Sequence, residues 1–274
     1  MMFLLSPYFY FMVLVFYLVS NGFFFMDFIK DNKVANRVGV AFLLMVWILD
    51  SFFIGARILL LHEWPLFSAF QATMLFSWLL ISLSVIFTFF YRIDFFVFFL
   101  NLCGLLFALF DVMVHGHAGS EIIHQSDLLV VHISAALLSY IAFSIAAIFS
   151  LLYLLESSSL RLKRFDSGPF RRLPPLEKLD RFAFRASLVG VPLLFLAIVL
   201  GAIWYYILTG HVVDMDAKPV VSVLLFLLYT FYLYLRVKGK VSGRKAAWLN
   251  ILAFVLVIIN FLVVSAFVSS FHRW

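Results

Sequence analysis

Two of the seven histidines in this sequence lie where imidazole chemistry could serve a cofactor. His132 opens a long apolar segment in LLVVHISAALLSY, and His272 closes another in SSFHRW. Imidazole is the usual protein ligand for haem iron and a common one for zinc and copper. Two imidazoles on different helices at similar depth can bind both faces of a flat haem. We therefore expect His132 and His272 to be axial ligands of haem iron, although each taken singly also fits a solvated position at a helix end.

The other histidines leave alternatives open. The segment HGHAGSEIIH (115–124) has a spacing that could bind zinc or copper, but glycine-containing loops of this kind are more often solvated. Any of the loop histidines could also replace one of the two expected haem ligands. The candidates for that replacement are His62, His117, His124 and His211.

Arg57 is an ionisable residue within an apolar segment, where such residues are costly and usually functional. Its expected position is one or two turns below the outer surface of the membrane. Guanidinium binds carboxylates through two parallel hydrogen bonds, so we expect Arg57 to bind a haem propionate. The alternatives are pairing with Asp50, which lies on the same helix face, and extension of the side chain to the interface.

The composition restricts the elements that can position these residues. Of the 274 residues, 65% are apolar and 12% are charged, and the mean hydropathy is +1.11. A soluble domain is about half apolar and about a quarter charged, so a soluble enzyme, a secreted scaffold and a disordered tail are excluded. The single cysteine, Cys103, excludes an internal disulfide, a CxxC pair and a multi-thiolate metal site.

Long apolar segments predict an all-α, polytopic integral membrane bundle of eight transmembrane helices that forms a single transmembrane domain over 1–274. Helices satisfy their own backbone hydrogen bonds in lipid, and the short alternating segments of a β-barrel are missing. The first segment lacks the basic residues and the cleavage site of a signal peptide, so we expect it to remain as a span. The predicted spans are 5–28, 38–61, 66–90, 95–113, 129–155, 186–208, 219–237 and 247–270.

The basic residues are distributed unevenly between the predicted loops. Seventeen of the 20 Lys and Arg residues lie beside loops that follow odd-numbered spans, and only Arg57, Lys218 and Arg273 lie on the other side. Positively charged loops stay in the cytoplasm, so both termini are expected outside. All seven histidines then fall on the outer side. The net charge of +6 accordingly indicates orientation, and no nucleic-acid partner is expected.

Two segments have features beyond their hydropathy. In the fifth span, His132, Ala136 and Ser139 share a face, and abundant small residues favour close packing, so we expect a central helix. The basic inner loop 156–185 is the only soluble segment of any size. We expect it to lie on anionic lipid, and docking of a cytoplasmic protein is the alternative.

Four stretches in order along the chain resemble the CcsA-type proteins of the CcsA/CcmC cytochrome c assembly family. They are LHEWPLFSAFQATMLFSWLL (61–80), the helix that begins LLVVHISAALLSY, LEKLDRFAFRASLVGVPLLFLAIVLGAIW (176–204), and the closing helix pair that ends at His272. The resemblance covers residues 40–272. It implies a haem-handling membrane protein, with His132 and His272 in the positions of the family's two external haem ligands.

Two departures from the CcsA pattern indicate a sister branch. The tryptophan-rich external loop of CcsA reads ILTGHVVDMDAKP here and keeps only Asp216 and Lys218, and Tyr234 occupies the position of a transmembrane histidine. These features resemble the HemX family, which are eight-span proteins of Gram-positive bacteria. That resemblance implies a multi-pass protein of the bacterial plasma membrane that acts as a negative effector of haem synthesis, lowering the level of glutamyl-tRNA reductase.

The sequence therefore predicts a non-enzymatic membrane protein that binds haem b and regulates haem biosynthesis, with glutamyl-tRNA reductase or another cytoplasmic partner at the inner loop. The main alternative is haem handling or transport for cytochrome c maturation. A quinone-reactive cytochrome would need ligand pairs inside the spans for two stacked haems. A divalent-metal permease would need polar ligands near mid-membrane, where Asp50 alone is thin support.

Overall fold

The protein consists of consecutive helices in the part of the chain that its computed structural model describes, residues 7–61, 69–90, 94–115, 126–161, 173–211 and 216–268. These ranges contain no strand. The helices are α1 (Pro7–Lys30), α2 (Lys33–Ala56), α3 (Ala69–Phe90), α4 (Asp94–His115), α5 (Asp127–Arg161), α6 (Leu176–Thr209), α7 (Ala217–Val237) and α8 (Gly243–Ile258). Two of them continue directly as π-helical segments, α2 through Arg57–Leu61 and α8 through Ile259–Val268.

The lengths and hydropathies of these helices fit a membrane protein. Within the described residues, seven helices are long and apolar enough to cross a bilayer, and the apolar part of α4 is shorter, Phe95–Leu109. The predicted all-α, multi-pass membrane architecture is thereby confirmed. The orientation of the two termini stays a prediction, because it rests on the distribution of basic residues alone.

Contacts within the chain divide it into two compact units, the first built on α1–α4 and the second on α5–α8. In the first unit α1 packs against α2 and α4, and α3 packs against the same two helices. Its core is formed by large apolar side chains that include Phe24, Leu43, Val46 and Ile81. The expectation that the whole chain forms a single transmembrane domain stays a prediction.

Two tryptophans join α2 and α3 of the first unit through reciprocal hydrogen bonds. The indole N–H of Trp47 donates to Ser82 Oγ at 2.9 Å, and that of Trp78 donates to Ser51 Oγ at 2.8 Å. Each serine hydroxyl then donates to the backbone carbonyl of the tryptophan on its own helix. Each of these polar side chains is therefore paired inside the apolar unit, where an unpaired group would be costly.

In the second unit, α5 and α6 pack against each other along a row of small residues. The buried face of α6 recurs every three or four positions and includes Ala183, Ser187, Gly190 and Ala197. Small residues allow membrane helices to approach closely. At Gly190, a Cβ would come within 2.5 Å of the Phe143 ring of α5. The expectation of a central fifth helix is confirmed, since α5 is the most buried of the described spans.

Both helices extend into the predicted inner loop 156–185, because α5 ends at Arg161 and α6 begins at Leu176. Ser159 of α5 and Leu179 of α6 are buried, so the packed interior of the second unit continues beyond the predicted spans. A helix also satisfies its own backbone groups in lipid and in water, so the membrane surface does not end it. Residues 176–185, which fall in the predicted inner loop, are thus the first part of α6.

The end of the second unit at which α6 begins is called here the basic end. Its basic residues are Arg161, Lys178, Arg181, Arg185, Arg236, Lys238, Lys240, Arg244 and Lys245. Arg236 of α7 pairs with Asp180 of α6 at 2.7 Å, and its guanidinium lies 5.4 Å from the centroid of the Phe184 ring. This pair joins α7 to α6. The opposite end is called the histidine end and carries His132, His211 and Lys218.

We expect the ion pair between Asp180 and Arg236 to stabilise the second unit, because the Arg236 side chain is only 10% exposed. Asp180→Asn should lower the free energy of unfolding by about 1–3 kcal/mol, the usual cost of depriving a buried charge of its partner. Titration with SDS, followed by tryptophan fluorescence, measures this change. Glu177→Gln is the control, since the Glu177–Arg181 pair is mostly exposed and lies within one helix, where such pairs contribute about 0.5 kcal/mol or less. Equal losses in the two variants would contradict the expectation.

Candidate functional site

His132 lies in the second turn of α5, at the histidine end of the second unit. Its Nδ1 is 2.7 Å from the backbone carbonyl oxygen of Ala197 in α6. A carbonyl only accepts hydrogen bonds, so Nδ1 must carry the proton. In the neutral ring, Nε2 then bears the lone pair, and it has no hydrogen-bond partner among the described residues. A histidine held by one nitrogen and open at the other is the usual arrangement of a metal or haem ligand.

Gly201 of α6 provides the space for this imidazole. A Cβ at position 201 would lie 2.6 Å from Cε1 and 2.9 Å from Nδ1 of His132. Gly201 is also four residues after Ala197, so its missing side chain leaves the Ala197 carbonyl open from this direction. A carbonyl oxygen has two lone pairs and can accept the imidazole proton in addition to its intrahelical bond. The two small residues thus position His132 with one hydrogen bond and one close contact.

Charged residues surround the same end of the second unit. Lys218, in the first turn of α7, interacts electrostatically with both His132 and Asp216. Asp216 is buried, with 7% of its surface exposed. The histidine end therefore combines an imidazole with an interacting lysine and aspartate, whose opposite charges offset each other. His211, which follows α6, is exposed, and its backbone N–H donates to Thr209 Oγ1.

A buried polar layer lies deeper in the second unit. Asn260, in the π-helical continuation of α8, donates through Nδ2 to Tyr140 Oη at 3.1 Å and to Ser222 Oγ at 3.0 Å. Tyr140 is two turns after His132 on α5, and Ser222 donates to the backbone carbonyl of Lys218 one turn earlier on α7. π-Helical turns are frequent at functional sites. Here the π-helical segment joins α5 and α7 below the histidine end.

Several residues predicted to form the site lie outside the described part of the chain. They are His62, His117, His124 and His272. His115 is the last residue of α4. The pairing of His132 with His272 therefore stays a prediction, as does the metal-binding alternative for 115–124. Among the described residues, no group of three His, Cys, Asp or Glu side chains could hold a metal ion.

Arg57 belongs to the first unit, where α2 changes into its π-helical turn. Its guanidinium carbon lies 5.5 Å from the centroid of the Phe53 ring, and its Nε is buried without a hydrogen-bond partner. Asp50 is buried in the same helix but forms no ion pair with Arg57. The structure of the described residues therefore does not bear out the Asp50 pairing, and the role of Arg57 at a propionate stays a prediction.

Sequence reasoning identified His132 but missed the groups that orient it. Ala197 acts through its backbone carbonyl, which every residue type has, so the sequence contains no sign of that role. The role of Gly201 could have been suspected from the sequence, because Ala197 and Gly201 are small residues four positions apart, a spacing typical of close contacts between membrane helices. The sequence showed Lys218 as a basic residue at the start of an apolar helix. It did not show that Lys218 interacts with His132, because that depends on how α7 packs in the second unit.

The hydrogen bond to Ala197 predicts the tautomer of His132 in the protein without any ligand. In protein labelled with 15N-histidine and held in detergent, we expect two-dimensional 15N–1H spectra to show Nδ1 protonated and Nε2 unprotonated at neutral pH. His132→Ala identifies the resonance by its loss. His211, which is exposed, serves as an internal control and should show the mixed tautomers of a solvated ring. The Nε2–H form at His132 would contradict the geometry.

Comparison with known proteins places this fold in a family. The family described as "Cytochrome C assembly protein" matches residues 66–272. "Protein HemX" from Brevibacillus brevis is 36% identical over 261 residues, which cover 94% of each chain. "Protein HemX" from Bacillus subtilis is 33% identical over 268 residues, again with 94% of each chain covered. These matches confirm the resemblance that four stretches of the sequence predicted.

A solved structure shares the fold. It is that of the "Cytochrome c Heme Lyase CcmF", which superposes with a TM-score of 0.65 at 16% sequence identity. The match covers 91% of this chain but only 45% of CcmF, so this protein spans less than half the length of that relative. At this identity the likeness concerns the fold alone. The family match and the HemX relatives, which are aligned over nearly their whole length, show that this multi-pass bacterial membrane protein belongs to the cytochrome c assembly protein family.

Proposed function

We propose that this protein binds haem b at its histidine end and regulates haem synthesis, with His132 and His272 as the axial ligands. The observation that carries the proposal is the geometry of His132, whose Nδ1 is held by the Ala197 carbonyl while Nε2 is left open. This residue fits haem iron, because a backbone acceptor at the second nitrogen fixes the tautomer and makes the ligating nitrogen more basic. Membership of a cytochrome c assembly family supports a haem-related role.

Within this proposal each residue has a distinct task. Haem b would supply a redox-active iron and two carboxylates, and the chain would supply its ligands and counter-charges. His132 holds its lone pair in a fixed direction on a rigid helix. Lys218, which interacts with both His132 and the Asp216 carboxylate, is the basic residue of the histidine end that we propose to face a propionate. A role for Arg57 at a propionate is proposed from its place in the sequence alone, because Arg57 belongs to the first unit.

A regulatory role would require the histidine end to influence the basic end. Helix α5 connects the two ends as one continuous helix of 35 residues, or about 50 Å at the usual rise per residue. Helix α6, with 34 residues, runs beside it from the basic end to Gly201 and beyond. We propose that occupancy of the histidine end is transmitted along these helices to glutamyl-tRNA reductase, or to another cytoplasmic partner, at the basic end. This role follows from the HemX resemblance and implies a protein that is not itself an enzyme.

Haem handling for cytochrome c maturation is the second candidate. The family description and the fold shared with a protein called a haem lyase favour it. Both candidates use the same ligand site, so they differ in the fate of the haem and not in how it is bound. They are therefore separated by experiments in cells rather than by spectra.

The ligand assignment predicts the absorption spectrum of the purified protein. The wild type should show a Soret band and the sharp reduced α-band of a six-coordinate, bis-histidine haem. His132→Ala or His272→Ala should each convert the reduced haem to a high-spin form, and the double variant should lose most of the bound haem. His211→Ala is the matched control, because His211 is an exposed histidine at the same end. An unchanged spectrum in the double variant would disprove the assignment.

The regulatory role predicts a specific effect of deleting the gene. We expect the level of glutamyl-tRNA reductase, measured by immunoblot, to rise several-fold, with the amount of covalently bound cytochrome c unchanged. Complementation with the His132→Ala protein should fail to restore the lower level, whereas the His211→Ala protein should restore it. Loss of cytochrome c at a constant reductase level would instead establish the maturation role.

A further inference from the structure

Two aromatic rings of α5 lie against glycines of α6. The His132 ring lies against Gly201, and the Phe143 ring lies against Gly190. His132 precedes Phe143 by 11 residues (143 − 132), and Gly190 precedes Gly201 by the same 11 (201 − 190). The two contacts are therefore equivalent positions of one antiparallel helix pair, three turns apart. We call them the glycine notches.

The two notches differ in how the ring is held. At Gly190, a Cβ would lie 2.5, 2.8 and 3.0 Å from three carbons of the Phe143 ring, which has no polar atom and stacks on Tyr229. At Gly201, a Cβ would lie 2.6 and 2.9 Å from Cε1 and Nδ1 of His132, and that same Nδ1 is 2.7 Å from the Ala197 carbonyl. The imidazole therefore cannot move away from position 201 without losing or bending its hydrogen bond.

We propose that Gly201 is a positioning residue that fixes the orientation and the tautomer of the His132 imidazole. The part of this inference that concerns haem rests on the function proposed above. With glycine at 201, Nδ1–H stays on the Ala197 carbonyl and Nε2 keeps its lone pair toward the ligand. Any side chain at 201 rotates the ring, so that Nδ1 loses its acceptor and either nitrogen can carry the proton. Loss of such an outer partner typically weakens metal binding about 10–100-fold.

The Gly190 contact provides a matched control for substitutions at Gly201. Gly201→Ala and Gly190→Ala each add one methyl group to the same face of α6, against a ring of the same neighbouring helix. Both variants should unfold at lower SDS concentration than the wild type, because both disturb the packing of α5 on α6. Only Gly201→Ala touches the histidine. A general packing role and a positioning role for Gly201 therefore predict different results for this pair of variants.

The first measurement needs no haem. In 15N-histidine spectra of the ligand-free protein, Gly190→Ala should retain the Nδ1–H form of His132, and Gly201→Ala should show a mixture of tautomers. The second measurement is haem titration followed by the reduced α-band. We expect Gly201→Ala to weaken haem binding about 10–100-fold and to shift the midpoint potential, while Gly190→Ala binds haem like the wild type.

The inference is overturned if Gly201→Ala keeps the wild-type tautomer, or if Gly190→Ala disturbs it equally. If Gly201→Ala fails to fold, folding of the double variant His132→Ala with Gly201→Ala tests whether the His132 ring is what the new methyl group displaces. Removal of the imidazole makes room for the new methyl group, so the double variant should fold, and its failure would overturn the inference. A wild type that shows the fixed tautomer but binds no haem would disprove the proposed function and leave the role of Gly201 intact.

Discussion

The close approach of α5 and α6 is the contact on which the rest of the second unit depends. Lipid is as apolar as the side chains it would replace, so helices in a membrane associate through dense packing and hydrogen bonds. The small residues of α6 bring its backbone near enough for a main-chain carbonyl to accept the imidazole proton of His132. A bulkier face on α6 would move that carbonyl out of reach. The packing of the two helices and the orientation of the His132 ring are therefore two results of the same contact.

Hydrogen bonds in the two units follow a common rule, although the residues differ. In the first unit, Trp47 and Trp78 each donate to a serine on the neighbouring helix. In the second unit, Asn260 donates to Tyr140 and to a serine of α7. Each of these three side chains finds its partner across a helix interface, where an unpaired polar group would be costly. These bonds hold helices in register at points where the apolar contacts alone would permit sliding.

Hydropathy was sufficient to predict the helices and the membrane, because length and apolar content determine both. The central position of α5 was predicted from its small residues, which allow close packing. Hydropathy alone did not show how far the helices continue into the segment 156–185, since a helix does not end where the lipid ends. Helix α5 reaches Arg161, and α6 already begins at Leu176. His132 was predictable from its type and its place at a helix end. The contribution of Ala197 was not, because a backbone carbonyl leaves no trace in the sequence. His272 lies outside the described residues, and its pairing with His132 remains a prediction.

The acceptor of the His132 hydrogen bond is a main-chain carbonyl, and this determines which mutations can alter the site. Mutation can replace a side chain, but it cannot remove a carbonyl, so the acceptor at position 197 survives any substitution there that is small enough to preserve the helix contact. The site is thus genetically robust at its acceptor and fragile at Gly201, where every possible substitution adds atoms toward the ring. Of these two positions, 201 is accordingly the one at which we expect a substitution to reorient the histidine.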